Sequence, residues 1–578
     1  MNVIKNTLRL LENDKKKLPG IIFIFLLMSI IDVAGIGLVA PYISFIVDAE
    51  SQADLLIKFN NLFGLNLSLS AFIFYIGIFI ILFLIFRLFA AIGTNALIIR
   101  FTESQRLRIK LRLLNNYQYR GLEEKNLRNT SELIYTINTL TGFYSGNVLF
   151  YILKITSELF ICFLILALLA FQNILVVTFL ISLLIFIIMG YDFYVKPKLQ
   201  SLGLKINFHS ANEINRVRET IDGSQEITVL GKENIFHNRV SEASTNFATY
   251  QKFGSILSSI PRYLLEFTIF AFIVVVCTFS YAFFENVQEF IPVLTLFGIA
   301  AVRLVPSASL ITLGVSVIRH NTNTVQILHD DVFNKNSSST HKYKNISLNK
   351  FSNITFSDVN FSYKNNSKEV LKNVSFKINK GDSVALIGSS GSGKSTIANL
   401  MMGLIKTKNE DSITINGINI NESLKSWRSK IAYIPQDIFL IDGTIAQNIA
   451  LEFDEEHINK EMLQKAIEMS SLHELINSLP NKISENIGED GALLSGGQRQ
   501  RIILARAFYH KREFLIMDEA TSALDAKTEA KIVKEITELN KDITMVIIAH
   551  RLSTIESCNK VIELDDGLIS SIVDNVNN

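Results

Sequence analysis

Six long apolar runs within the first 320 residues constrain the fold more than any other feature of this sequence. They lie at about 21–47, 71–99, 147–171, 174–191, 263–284 and 290–318. A helix that rises about 1.5 Å per residue needs about 20 apolar residues to cross the hydrocarbon core of a bilayer. The runs therefore predict an all-α membrane domain of six transmembrane helices over residues 1–320.

The distribution of Lys and Arg predicts how these helices are oriented. The N-terminal segment and the stretches 100–146 and 195–258 are basic, whereas the intervening connections hold a single basic residue, Lys58. Cytoplasmic connections carry the excess of Lys and Arg, so both termini are predicted to be cytoplasmic. The opposite connection includes 51–66, whose apolar residues recur at helical spacing. That pattern predicts either a short surface helix or a loop with apolar anchors.

Composition excludes several other classes of protein. The net charge of +2 is not the basic excess of a nucleic-acid-binding protein, so no nucleic-acid partner is expected. Three cysteines, Cys162, Cys277 and Cys558, lack metal-ligand spacing and exclude a disulfide scaffold or a zinc cluster. After the last apolar run, residues 321–350 turn polar and are predicted to be a linker. Residues 351–578 alternate β-rich and helical stretches, which is typical of an α/β domain.

A phosphate-binding loop is the most specific motif in this second domain. Residues 388–395 read GSSGSGKS and fit the pattern G-x-x-x-x-G-K-[ST] between a strand and a helix. In such a loop, backbone N–H groups surround phosphate oxygens, the lysine reaches the β and γ phosphates, and the serine hydroxyl ligates Mg²⁺. The residues predicted to bind ATP here are Gly388, Ser389, Gly391, Ser392, Gly393, Lys394, Ser395 and Thr396.

Two further motifs support a nucleotide site. The apolar strand 514–517 ends in Asp518 and Glu519, which suit Mg²⁺ binding and polarisation of an attacking water, respectively. Residues 494–498 read LSGGQ and begin a helix, whose free N–H groups and dipole form a second anion cradle. A nucleotide bound to one domain needs only one of these two phosphate-binding sites. We therefore expect ATP to lie between two copies of the domain.

In chain order, the motifs are the phosphate loop, Gln436, the 494–498 segment, Asp518 with Glu519, Asp525 and His550. This order resembles that of the ATP-binding cassette transporters. The resemblance implies an α/β P-loop ATPase cassette over 351–578 that uses ATP and Mg²⁺ in a homodimer. It implies catalytic roles for Glu519, His550 and Gln436, and a Mg²⁺ site formed by Ser395, Gln436 and Asp518. It also implies that the nucleotide contacts Tyr363, which stacks on adenine, together with Ser495, Gly496, Gly497, Gln498 and Asp525.

Six predicted spans placed ahead of one cassette resemble the exporter type of this family. The resemblance implies a multi-pass protein of the bacterial inner membrane with its cassette in the cytoplasm. It also implies short coupling helices near 129–139 and 222–230, which dock on the cassettes.

Charged residues inside the apolar runs are the sequence evidence on the substrate, since they are costly in lipid and tend to pair or to face a cavity. The basic residues singled out as substrate candidates are Arg87, Arg262 and Arg303. Guanidinium groups suit bidentate binding of phosphate, which predicts a substrate with a phosphate head and an apolar tail. Structural pairing is the alternative for Arg262 with Glu266 and for Lys154 with Glu158. For Arg87 the alternatives are an ion pair with Asp32 and snorkelling toward the membrane surface.

The membrane half is similar to the bacterial flippases for lipid-linked oligosaccharides. The similar stretches are 33–43, 260–266 and 303–308. This resemblance implies that a polyprenyl-pyrophosphate glycan moves from the cytoplasmic to the outer leaflet, for protein glycosylation or surface polysaccharide assembly. The alternatives are a multidrug, peptide or lipid A exporter of the same architecture, and an ATP-gated channel or sensor.

Overall fold

A computed structural model describes residues 2–47, 68–119, 130–172, 174–283, 291–333, 346–363, 368–407, 409–518, 543–549, 555–556 and 558–574. The predicted surface helix at 51–66 lies outside these residues, as do Glu519, Asp525 and His550. The described chain forms two compact units, one up to residue 333 and the other from residue 346.

The first unit is entirely helical in its described part. Its elements are α1 (Asn2–Leu11), the 3₁₀ helix Glu12–Lys17, α2 (Leu18–Val47), α3 (Leu69–Tyr119), α4 (Thr130–Tyr135), α5 (Thr141–Phe143), α6 (Phe150–Gln172), α7 (Ile174–Asp222), α8 (Ser224–Val229), α9 (Glu233–Phe283), α10 (Ile291–His320) and α11 (Thr322–Phe333). Two π-helical turns, Thr136–Leu140 and Tyr144–Leu149, join α4, α5 and α6.

The predicted apolar runs lie on long helices of this unit. By length and composition, five described stretches are able to cross a membrane: Val3–Gly35, Leu69–Gln118, Thr130–Phe171, Val177–Val195 and Ala300–His320. The remaining run, 263–284, falls almost entirely on α9. Large apolar side chains on α3 such as Phe74 and Phe89 are about two-thirds exposed. An apolar surface of this kind is typical of helices that contact lipid.

Within the predicted linker 321–350, the twelve residues Thr322–Phe333 instead form the helix α11. Val325, Leu328 and Val332 recur at helical spacing and are buried in one core with residues of α1 and α3, among them Leu10 and Leu113. Burial of this stripe stabilises the helix, although most of its other residues are polar. At the second position predicted for a coupling helix, the structure has the short helix α8.

The second unit contains two β-sheets. Its strands are β1 (Asn353–Phe361), β2 (Leu371–Asn379), β3 (Ser383–Gly388), β4 (Ile413–Ile415), β5 (Ile418–Asn419), β6 (Ile431–Ile434), β7 (Phe514–Asp518), β8 (Thr544–Ile548), β9 (Lys560–Asp565) and β10 (Leu568–Asp574). Its helices are α12 (Lys394–Met401), α13 (Leu424–Arg428), α14 (Ile445–Ala450), α15 (Lys460–Met469), α16 (His473–Ser478) and α17 (Gly496–Tyr509).

The larger sheet has the strand order β10-β9-β3-β8-β7-β6. All of its neighbouring pairs are parallel except β10 with β9. The strands β7 and β8 are buried at every position, as expected for apolar runs covered on both faces. Because parallel strands end at the same edge, the chain after β3, β6, β7 and β8 leaves the sheet on one side.

An aromatic cluster holds the two sheets of this unit together. Trp427 of α13 is fully buried and packs against Phe351, just before β1, and Phe514, which begins β7. Its indole N–H donates to the carbonyl oxygen of Met401 at 2.7 Å, so the polar atom of the ring is satisfied. The cluster therefore joins α12, α13 and β7 at one point of the core.

We predict that Trp427→Ala destabilises the second unit by about 3–5 kcal/mol, because the cavity it leaves lies in a close-packed core. Amide hydrogen exchange of β1 and β7 in the full-length chain measures this loss. Trp427→Phe keeps most of the packing but leaves the Met401 carbonyl without its donor, so a smaller loss is expected. Phe453→Ala, at a side chain 72% exposed, is the control. Equal protection of the amides from exchange in the Trp427→Ala and Phe453→Ala variants would contradict the role of Trp427 in holding the sheets together.

Candidate functional site

The predicted phosphate loop lies between β3 and α12, as its motif requires. Gly388 and Gly393 have φ angles of 143° and 107°. A Cβ at Gly388 would lie 2.1 Å from the carbonyl oxygen of Leu564, and one at Gly393 would lie 2.6 Å from the Leu371 side chain. Only glycine fits both positions, and the loop thereby keeps its backbone N–H groups close together.

The side chains of the loop fit a phosphate group. The Lys394 ammonium donates to the carbonyl oxygens of Gly388 at 2.9 Å and Ser389 at 2.8 Å, which holds it against the loop. Ser392 is 2% exposed, and its hydroxyl has no hydrogen-bond partner within the described residues. A buried hydroxyl without a partner is costly, so an added phosphate oxygen is a favourable acceptor for it.

Tyr363 lies next to the helix that follows the loop. Its hydroxyl is 3.3 Å from the hydroxyl of Thr396, in the first turn of α12, and its ring packs edge-on against Phe361. The side chain is half-buried, so part of the ring remains accessible. The adenine-stacking role that the family resemblance implies for this ring stays a prediction.

The carboxyl-terminal edge of the larger sheet brings the predicted magnesium ligands toward the loop. Asp518 ends β7 and pairs in register with Ile548 of β8, which in turn pairs with Leu386 of β3. Gln436 follows β6, the neighbour of β7 on its other side. The carboxylate of Asp518, the amide of Gln436 and the hydroxyl of Ser395 thus come from elements that end at one edge, and oxygen ligands of this kind suit Mg²⁺.

A negative potential marks this edge. Burial, together with the charges of Asp518 and Asp437, raises the pKa of Tyr433 to about 12. Sequence reasoning missed Tyr433 and Asp437, although both belong to the short segment around Gln436. Both carboxylates act on the same tyrosine hydroxyl, and negative charge of this kind favours a cation at the edge.

The predicted signature segment begins α17 with a capping box. The Ser495 hydroxyl accepts from the Gln498 N–H at 3.3 Å, and the Gln498 side chain accepts from the Ser495 N–H at 2.8 Å. The N–H groups of Gly496 and Gly497, in the first turn, have no acceptor within the helix. They are available to an anion, while Ser495 and Gln498 serve mainly to hold the turn.

In the membrane unit, two of the three candidate arginines share one carboxylate. Asp32 of α2 accepts from Arg87 Nε of α3 at 2.6 Å and from Arg303 Nη2 of α10 at 2.7 Å. Asp32 is 2% exposed, so both ion pairs are shielded from water on the acidic side. The alternative of pairing between Arg87 and Asp32 is confirmed, and Arg303 joins the same pair.

A second buried carboxylate continues this network. Glu158 of α6 accepts from Ser307 at 2.7 Å and lies 3.3 Å from Lys154 and 3.8 Å from Arg303. Sequence reasoning missed Ser307, although its position four residues after Arg303 places both on one helix face. The network therefore links α2, α3, α6 and α10 and contains three cationic and two anionic side chains.

Arg262 does not join this network. It donates through Nε to Glu266 at 2.9 Å, one turn along α9, which confirms the predicted pairing of these two residues. The Arg262 side chain is 59% exposed in the single chain. All three arginines are therefore paired, and none is an isolated charge among the described residues.

The comparisons with known proteins define the class of the second unit and the fold of the chain. Residues 371–522 match the family described as ABC transporter, so this segment is an ABC transporter ATPase domain. The whole chain superposes on a solved structure titled "Structure of a bacterial Atm1-family ABC exporter with ATP bound". The TM-score is 0.80 at 20% identity, over 97% of this chain and 95% of that one. The chain thus has the ABC exporter fold, a helical membrane domain fused to an α/β cassette.

Curated relatives match over a shorter part of the chain. It is 42% identical over 217 residues to the ATP-dependent lipid A-core flippase of Idiomarina loihiensis, or 37% of either protein. It is 43% identical over 217 residues to that of Vibrio parahaemolyticus, again 37% of either. With the flippase of Saccharophagus degradans it shares 44% identity over 217 residues, 37% of this chain and 36% of that protein. The matched segments span little more than a third of these relatives.

We predict that Tyr363→Ala weakens ATP binding to the full-length chain, because base–aromatic stacking contributes about 1–3 kcal/mol per base. The dissociation constant of a fluorescent ATP analogue measures the effect. Tyr363→Phe is the matched control: it keeps the ring and removes only the contact with Thr396. Unchanged affinity in Tyr363→Ala contradicts the stacking role.

Proposed function

We propose that this chain is half of an ATP-driven lipid exporter, which moves a lipid with a phosphate-bearing head from the cytoplasmic to the outer leaflet of a bacterial inner membrane. The observation that carries the proposal is the phosphate loop and Asp518 at one sheet edge, in a chain whose other unit has long apolar helices. The exporter fold supports this, and so do the relatives named as ATP-dependent flippases.

The nucleotide chemistry follows from the groups at the sheet edge. Lys394 and the loop N–H groups bind the phosphates of ATP. Ser395, Gln436 and Asp518 would hold Mg²⁺, which supplies charge neutralisation at the β and γ phosphates. Glu519 orients and polarises the attacking water, His550 contacts the γ-phosphate, and Asp525 helps to complete the site; these three roles are carried over from the family resemblance.

The working unit is a homodimer with a two-fold axis. One chain provides a phosphate loop and a separate anion-binding helix start at Gly496 and Gly497. Pairing two chains lets the loop of one and the helix start of the other enclose the same ATP. The energy of closing this composite site is then available to the membrane helices.

The chemical identity of the exported lipid is the most specific part of the proposal. The relatives' names favour a lipid A exporter, the alternative expectation, over the polyprenyl-pyrophosphate glycan that the membrane motifs resemble. Both lipids carry phosphate on a sugar-bearing head and differ in their apolar part. We therefore propose that the substrate is a phosphate-bearing glycolipid, which is the chemistry that both lipids share. Of the two, we favour lipid A over the polyprenyl-pyrophosphate glycan.

The membrane ion pairs are compatible with such a head group. Arg87, Arg303 and Lys154 carry three positive charges, and Asp32 and Glu158 carry two negative ones. One positive charge per chain is therefore not neutralised within this network, and two chains would contribute two. A phosphate that binds Arg87 and Arg303 competes directly with Asp32 for the same N–H donors.

We predict that Glu519→Gln abolishes ATP turnover while ATP still binds, because the amide cannot polarise the attacking water. Steady-state phosphate release and size-exclusion chromatography with ATP measure turnover and the trapped dimer. Lys394→Ala is the contrasting variant, since it is expected to lose binding as well. Normal ATP hydrolysis by the Glu519→Gln variant would contradict the proposal that Glu519 polarises the attacking water.

We predict that replacing Arg87 and Arg303 by Ala stops lipid flipping in proteoliposomes. The double variant alone leaves Asp32 buried without a partner, which destabilises the bundle. The informative variant therefore adds Asp32→Asn, which removes the unpaired charge together with both arginines. Its thermal stability is expected to recover toward the wild type, while flipping stays lost because the phosphate-binding groups are absent.

The lipids tested are lipid A, a polyprenyl-pyrophosphate glycan and a phosphate-free dye-labelled lipid. If only lipid A is flipped, the result supports lipid A as the substrate. If only the glycan is flipped, the result supports the polyprenyl-pyrophosphate glycan. Wild-type flipping by the triple variant contradicts the phosphate proposal. ATP-dependent ion conductance without lipid movement would instead support the alternative of a gated channel.

A further inference from the structure

The segment that joins β6 to α14, residues 435–443, has no regular secondary structure. It contains Gln436, and its backbone is fixed a few residues further on. The side-chain amide of Asn448 accepts from the Ile441 N–H and donates to the Ile441 carbonyl oxygen, both at 2.9 Å. Leu440 is 2% exposed and packs in the core of the unit. The position of Gln436 therefore depends on what holds the residues that follow it.

Arg506 of α17 is the third group that holds this Gln436 segment. Its Nη1 donates to the carbonyl oxygen of Phe439 at 3.1 Å, and its Nε donates to that of Asn448 at 2.9 Å. Phe439 is 61% exposed, so core packing does not fix this residue. Asn448 lies in the last turn of α14, where carbonyl groups lack N–H partners within the helix. One guanidinium thus joins α17, α14 and the Gln436 segment.

The guanidinium of Arg506 is half-buried. Among the described residues no carboxylate offsets this burial, which lowers the pKa of Arg506 to about 10. Its Nη2 is buried and has no hydrogen-bond partner in the same part of the chain. Burying a charge without an opposite charge destabilises a domain. An apolar side chain of similar length would avoid this cost, but it would leave the carbonyl oxygens of Phe439 and Asn448 without their donor.

We propose that Arg506 is a positioning residue for ATP hydrolysis: by holding the Phe439 carbonyl, it keeps Gln436 at the carboxyl-terminal edge of the larger sheet. The helix α17 begins at Gly496 and Gly497, so one helix carries both the second anion-binding site and the group that holds the Gln436 segment. About 15 Å of helix separates the two. An anion bound at the start of α17 thus acts on a helix whose position also sets that of Gln436. The role assigned to Arg506 rests on the proposed role of Gln436 at Mg²⁺.

The test is a double-mutant cycle on the full-length chain in nanodiscs, followed by steady-state ATPase kinetics. Arg506→Met keeps most of the length of the side chain and removes its donors. We expect kcat to fall about 10- to 100-fold, since a misplacement of about 1 Å can cost about 100-fold. The Kd of a fluorescent ATP analogue is expected to stay unchanged, because Arg506 contacts no phosphate-binding group. In the Gln436→Ala background, the same substitution should change kcat by less than about twofold, the usual scatter of additive effects, because the group that it positions is then absent.

Arg501→Met is the matched control. Arg501 lies on the same helix and donates to the carbonyl oxygen of Ser471, outside the Gln436 segment, at 3.2 Å. Its loss is expected to lower stability as that of Arg506 does, but to change kcat by the same factor in both backgrounds. If Arg506→Met does not fold, Arg506→Lys serves instead. It keeps the charge but replaces the planar fork by a single ammonium, so a smaller fall in kcat with the same dependence on Gln436 is expected.

The outcomes distinguish the role of Arg506 from that of Gln436. If Gln436→Ala alone leaves kcat unchanged, the proposed role of Gln436 is wrong and the positioning role fails with it. If Gln436→Ala lowers kcat but Arg506→Met lowers it by the same factor in both backgrounds, only the positioning role is overturned. A higher Mg²⁺ concentration for half-maximal activity in Arg506→Met, and not in Arg501→Met, supports the proposal.

Discussion

Asp32 accepts hydrogen bonds from two guanidinium groups on two other helices, and much of the membrane unit depends on this arrangement. A single arginine in an apolar bundle is costly, and so is a single carboxylate. Together with Glu158, Lys154 and Ser307, these residues form a continuous chain of polar contacts across α2, α3, α6 and α10. The helices can pack closely there because each charged side chain of this network lies within 4 Å of an opposite charge.

The cassette also combines an apolar core with polar side chains, which lie at the edge of its parallel sheet. Its strands are apolar and buried, so polar side chains collect where the strands end. Gln436 and Asp518 follow adjacent strands, and the phosphate loop follows β3. The buried hydroxyl of Ser392 at this edge has no hydrogen-bond partner within the described residues, and the charges of Asp518 and Asp437 act on Tyr433. In the proposed function, a phosphate oxygen of a bound nucleotide would accept a hydrogen bond from the Ser392 hydroxyl.

The cassette motifs were predictable from the sequence because each depends on local chain geometry. The loop from Gly388 to Ser395 needs only a strand, glycines and a helix start, and all of these are adjacent in the chain. The pairs Lys154–Glu158 and Arg262–Glu266 were predictable for the same reason, since they lie one helical turn apart.

The double pairing of Asp32 was only half predictable, because Arg303 is 271 residues away and its approach depends on how α10 packs. The helix α11 was missed because its polar composition suggested a linker, while its buried stripe of Val325, Leu328 and Val332 appears only when α1 and α3 are in place.

The ion pairs also change what the arginines imply about a substrate. Counted from the sequence, Arg87, Arg262 and Arg303 in two chains place six positive charges in one membrane region. In the structure, each is partly neutralised by Asp32 or Glu266, so the charge available to a ligand is much smaller. A head group gains affinity only to the extent that it binds the guanidinium groups better than the carboxylate already there. Phosphate meets this condition because it offers several strong acceptor oxygens to both arginines, whereas a neutral drug offers no charge to compensate for the displacement of Asp32. Under the proposed function, the same carboxylate that stabilises the bundle would favour a phosphate-bearing head group over a neutral one.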